Sequence, residues 1–171
     1  MTGEDENMKR ITIGGKEYTF EFSIEATLYD ECTVKAMEIF INAGAAQAEA
    51  EEKNVKNALQ NVVSTVAGVP QRALTFFYAG LLEHHGTNGD RSIKSINDAK
   101  RLAAIYMAEH PEDNDGRGKS WFDISNEMTE LMAEDSFFDK IGLNDMMGKM
   151  EQTETPKRGR KKKENTNFTE V

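Results

Sequence analysis

Three histidines, one cysteine, a glycine pair and one acid-rich loop are the groups in this chain whose types and spacing could do chemistry. A metal is the first chemistry to test. His84 and His85 are adjacent and His110 lies further on. Adjacent residues on a helix point about 100° apart, and the pair lacks the i, i+4 spacing of a helical zinc site. The histidines read instead as helix-end polar residues, where they complement the negative pole of the helix dipole. Glu112, Asp113, Asp115 and Gly116 loosely suggest a calcium loop. Such a loop closes on a glutamate at its twelfth position. Counting from Asp113, that position is Ile124, so a solvated loop is expected. Gly14-Gly15 is no phosphate cradle, because no Gly-Lys pattern follows and its flanks read as strands. Cys32 stands alone, which rules out an intrachain disulfide and a thiolate cluster, and no base is nominated for it. No paired base and nucleophile, no metal set and no cofactor motif emerge. The chain reads as a binding protein, not an enzyme.

The elements around these residues are more informative. Ile11, Ile13, Tyr18, Phe20 and Phe22 alternate with Thr12, Thr19 and Glu21 on either side of Gly14-Gly15. Period-two alternation about a Gly-Gly pair predicts a β-hairpin over 9–22. A lone hairpin is marginal in water, so its apolar face must rest on helices. Ser23 is the expected N-cap of a helix from Ile24, and Thr33 of a second from Val34 to about Asn42. Residues 45–67 favour helix, with Val55, Leu59, Val62, Val63 and Val66 as a stripe. Gly68-Val69-Pro70 reads as a break between this helix and the next. Residues 70–84, with Leu74, Phe77, Tyr78, Leu81 and Leu82, form the most apolar helix and the expected centre of the core. Ser95 or Asn97 should cap a helix to Glu109, with Ile96, Leu102, Ile105 and Tyr106 inward. Ser120–Ala133 reads as another, with Trp121, Ile124, Met128, Leu131 and Met132 inward, and a last piece runs from Asp135 to about Lys149. The fold class is α+β and mostly α: an N-terminal hairpin packed on a bundle of about five to six helices. The organisation is a flexible leader over 1–8, one domain over 9–149, and a disordered basic tail over 150–171.

Charge is unevenly spread. The 171 residues carry a formal net charge of -9. Lys157, Arg158, Arg160, Lys161, Lys162 and Lys163 are six of the 21 basic residues. Residues 1–156 therefore hold 15 basic residues against 28 acidic ones. An acidic body repels phosphate, which disfavours nucleic acid as the main ligand. The basic run has no interleaved aromatic for stacking, so it offers at most non-specific, salt-sensitive contact. The N-terminus lacks an apolar h-region, and no apolar run approaches the roughly 20 residues of a membrane span. A soluble protein made in a reducing cytoplasm is expected, with no membrane partner.

The side chains that could meet a partner are aromatic and thioether. Phe76, Phe77, Tyr78, Trp121 and Met128 could line an apolar groove, although at least half of them must serve the core. Methionine adapts to irregular partners, and Met146 and Met147 lie where the fold thins out. Self-association stays open.

Three stretches together resemble the small tail assembly chaperones of long-tailed phages and prophages of Gram-positive bacteria. The first is Ile11-Thr-Ile-Gly-Gly-Lys-Glu-Tyr-Thr-Phe-Glu-Phe-Ser with the short helix behind it. The second is Leu74-Thr-Phe-Phe-Tyr-Ala-Gly-Leu-Leu-Glu-His-His-Gly, and the third is the acidic helical C-terminal half with its charged tail. The resemblance covers residues 8–145, and the Ala/Glu-rich stretch 45–58 exceeds the family's shorter forms. It implies a non-enzymatic chaperone, made in the host cytoplasm during virion assembly and absent from the finished virion. It implies that the protein keeps the helical tape measure protein soluble and recruits tail tube subunits. The family also implies a longer product of programmed frameshifting, with which Lys161-Lys162-Lys163 is consistent. The other class of reading is a cytosolic adaptor or regulator whose basic tail touches nucleic acid.

Overall fold

The computed structural model describes residues 8–39, 41, 55–109 and 116–153. Residues 1–7 of the expected leader, most of the Ala/Glu-rich stretch, His110–Asp115 and the basic tail lie outside them. Strands β1 (Lys9–Ile13) and β2 (Lys16–Phe20) pair antiparallel, with Ile13 opposite Lys16 and Lys9 opposite Phe20. The turn between them is Gly14-Gly15, at φ +59° and +75°. A two-residue hairpin turn needs two positive φ angles, which glycine adopts without a Cβ penalty.

Among the described residues seven helices follow: α1 (Ile24–Leu28), α2 (30–39), α3 (Val55–His85), α4 (Ile96–Glu109), α5 (Trp121–Glu134), α6 (Phe137–Lys140) and α7 (Leu143–Thr153). The protein is mostly helical, with the N-terminal hairpin packed on the helices. Helix α3 is the axis, and α1, α4, α5 and β2 all pack against it. The core is built where these meet. Phe20, Phe22, Phe76, Phe77, Leu81, Ile124, Met128, Leu131, Met132 and Phe137 are all buried within it. The ring of Phe20 stands edge-on to Phe77 at 4.9 Å, and that of Phe22 to Phe137 at 5.5 Å.

Caps explain several boundaries. The Ser23 hydroxyl accepts from the Glu25 N–H and starts α1. Ser95 rather than Asn97 starts α4, accepting from the Asp98 N–H while Asp98 accepts from the Lys94 N–H. Ser120 and Asp123 form a reciprocal capping box at α5.

Three boundaries and one burial differ from expectation. Helix α2 begins at residue 30, and Thr33 lies inside it with its hydroxyl donating to the Thr27 carbonyl. Gly68-Val69-Pro70 does not break the chain, and α3 runs through Pro70 for 31 residues, about 46 Å. Proline removes the N–H that would bond the Val66 carbonyl, but Val66 and Pro70 are exposed and water can replace that bond. Pro70 instead marks where α3 enters the core: Val69 and Ala73 are buried, whereas Val63 and Val66 are 61% and 63% exposed. The last helical piece is two helices. Ser136 at φ +54° ends α5, and Gly142 at φ +73° separates α6 from α7, which runs to Thr153. Finally, Ile105 on α4 is exposed rather than inward.

Candidate functional site

The titratable groups gather at the seams of the hairpin. His85 is buried, and its Nε2 accepts from the Thr19 N–H at 3.0 Å. The ring proton therefore sits on Nδ1, which faces Asp90 Oδ2 at 3.1 Å and Ser92 Oγ at 3.2 Å. Hydrogen bonds from Ser92, with that of His85, hold the Asp90 carboxyl below its ordinary range. His84 Nε2 meets Glu21 Oε2 at 2.7 Å. The two histidines thus clasp β2 and its continuation to the end of α3. This is a structural duty, and the helix-end position is as expected from the sequence.

A second seam joins the strand exit to the α5–α6 corner. The Phe22 N–H donates to Asp135 Oδ2 at 2.6 Å, and Lys140 Nζ donates to the Phe22 carbonyl at 3.0 Å. Burial pushes the Asp135 carboxyl above its ordinary value, against the Phe22 hydrogen bond and the Lys140 charge. A third seam centres on Glu127 of α5. It accepts from Lys9 Nζ of β1 at 2.6 Å and from the Tyr106 hydroxyl of α4 at 2.9 Å, with Lys119 Nζ at 3.6 Å. Burial works against its charge, but Lys9, Tyr106 and Lys119 outweigh that and lower its carboxyl.

None of these groups forms a nucleophile–base pair open to a substrate. Cys32 is fully buried, and burial pushes its thiol up to about 12. Such a thiol stays protonated and unreactive at neutral pH. Among the described residues, no group of three or more His, Cys, Asp or Glu side chains could hold a metal ion. No described helix is long and apolar enough to cross a membrane.

The sequence-nominated partner residues divide between core and surface. Phe76, Phe77 and Met128 are wholly buried, so they build the core and line no open groove. Tyr78 is half-buried with its ring edge-on to Tyr29 at 5.4 Å, and burial raises its hydroxyl pKa. Trp121 is half-buried against the core. Met146 and Met147 are exposed on α7. Lys157, Arg158, Arg160, Lys161, Lys162 and Lys163 lie outside the described residues, as does His110.

Several exposed apolar residues were not singled out from the sequence: Ile24, Leu28, Val34, Ile41 and Phe122. Spacing held a signal for two of them. In α1, Ile24 and Leu28 are one turn apart, and buried Ala26 lies on the other side. No protein-family model, curated protein or solved structure matches the chain.

Proposed function

We propose that this protein is a phage tail assembly chaperone that binds a tape measure protein and recruits tail tube subunits. The observation that carries the reading is an apolar seam along α3 that is exposed at Val66. Val55, Leu59, Val62, Val66, Val69, Ala73 and Phe76 follow one another at alternating spacings of four and three. That is the repeat by which one helix seats another. Val69, Ala73 and Phe76 are buried in the body of the protein, while Val66, on the same seam, is exposed. A long client helix hides its own apolar stripe by lying along such a seam. Half-exposed Tyr78 and Trp121 are further apolar surface for a client. The acidic body supplies the charge that keeps a loaded complex dissolved.

The test is co-expression with a helical fragment of a tape measure protein. The fragment should stay soluble with the parent chain and precipitate without it. Val66→Asp should release it, with the circular dichroism of the variant unchanged because Val66 is exposed. A fragment equally insoluble with and without this protein overturns the assignment.

A further inference from the structure

Helix α3 stands clear of the body ahead of its buried half. Val63, Ser64, Val66, Ala67 and Gly68 are all exposed. At about 100° per residue these five positions cover most of the helix circumference. Val63 and Val66 are 61% and 63% exposed, and a Cβ at Gly68 would meet nothing within 4 Å. Burial begins only at Val69 and Ala73. The helical backbone continues back from this exposed turn to Val55. The 14 residues 55–68 therefore form a rod about 21 Å long.

The charge along the rod is unlike that of the rest of the chain. No Asp or Glu lies between Val55 and Leu82, a run of 28 residues in a chain with 30 acids. Over 55–68 the one charged residue is Lys56. A helix with apolar residues at alternating spacings of four and three seats a helix with the same repeat. A second copy of α3 carries that repeat, and it reaches the rod without acid–acid repulsion.

We propose that the exposed halves of α3 from two copies pair antiparallel, as a two-fold homodimer. Charge selects the direction. The acids of each copy all lie outside 55–82, so a parallel pair would crowd two acidic bodies at one end. An antiparallel pair holds them at opposite ends, separated by more than the Debye length of about 8 Å at physiological salt. It also sets the two Lys56 residues apart. The same surface serves both copies, so the assembly closes at two. Two rods about 21 Å long bury less than the roughly 1,200 Å² of a stable complex, so the pair is transient. This inference goes beyond the client reading, because it concerns the protein with no client bound. A transient pair also yields its seam to a longer client helix.

Sedimentation velocity of the full chain, from micromolar to submillimolar concentration, tests this. The average mass should rise from one chain toward two and no further. Val66→Asp should stay monomeric with an unchanged circular dichroism spectrum, because Val66 is exposed. Val66→Leu should lower the dissociation constant about tenfold, since each copy adds one buried methylene. Direction is read with a nitroxide on Gln71→Cys, an exposed position. Cys32 is fully buried and escapes the label. Overlap of 55–66 with itself sets the two labels about 30 Å apart, against about 10 Å in a parallel pair. A parent that stays monomeric at submillimolar concentration overturns the proposal. So does association that survives Val66→Asp, growth beyond two chains, or a label separation near the parallel value. None of these measurements contains a client, so a monomeric parent leaves the client reading to its own co-expression test.

Discussion

The backbone N–H of Phe22 donates to a carboxylate oxygen of Asp135 at 2.6 Å across 113 residues of sequence. This bond closes the exit of the hairpin onto the α5–α6 corner. Asp135 at this seam and Glu127 at the α4–α5 seam respond to pH in opposite senses.

Burial raises the Asp135 carboxyl. Just above the ordinary aspartate range, the folded chain still holds that proton when the unfolded chain has released it. Stability from this group therefore falls as pH rises through that window. Asp135→Asn keeps an acceptor for Phe22 without the charge, so it should remove this slope. Asp135→Ala leaves the buried N–H unpaired and should cost about 1–3 kcal/mol. Urea denaturation of the three proteins between pH 4 and pH 7, ranges set by ordinary carboxylate values, separates the cases. Equal losses in Asn and Ala would show that the hydrogen bond contributes little.

Glu127 has the opposite sign. Lys9, Tyr106 and Lys119 hold its carboxyl below the ordinary glutamate value. Its contribution is present above the unfolded value and is lost as pH falls through the folded one. Glu127→Gln should cost about 1–3 kcal/mol at neutral pH, and the gap to the parent should close in acid. A gap that stays constant with pH would mean the loss is steric rather than ionic.

Gly80 tests the hairpin–helix contact. A Cβ there would sit 3.2 Å from Phe20 Cδ1 and 3.5 Å from Phe22 Cε2, and the Glu21 N–H bonds the Gly80 carbonyl at 2.8 Å. In an exposed helix, Gly→Ala gains about 1 kcal/mol. Here Phe20 is wedged edge-on against Phe77 and has nowhere to move, so Gly80→Ala should lower the melting temperature instead. Phe20→Ala and Phe22→Ala should each cost about 3–5 kcal/mol, since both rings are fully buried. Losses well under 1 kcal/mol for both, against that range, would place the hairpin outside the core.

Pro70 should behave in reverse. It lies inside α3, exposed, with its N–H missing from the ladder. Pro70→Ala restores a donor for the Val66 carbonyl and should stabilise the protein by about 1–3 kcal/mol. Calorimetry reads this as a higher melting temperature. A lower one would show that proline's rigidity contributes more than the absent bond costs.

Local chemistry was legible in the residue order. Alternation about Gly14-Gly15 specified the hairpin, because only paired strands satisfy a period of two with a double positive φ between them. Ser23 announced α1, and Ser95 or Asn97 announced α4, because a cap acts over three residues. The division of the aromatics was not legible. Phe76, Phe77 and Tyr78 are consecutive on one helix, and a helix surrounded by α4, α5 and β2 buries two of them and leaves the third half-open. The continuity of α3 through Pro70 was likewise decided by context, since an exposed helix can yield one bond to water. The duties of His85, Asp135 and Glu127 rest on partners 66, 113 and 118 residues away. No local pattern encodes such pairs: they exist because packing an acid or an imidazole beside an unpaired backbone N–H or an ammonium is cheaper than burying either alone.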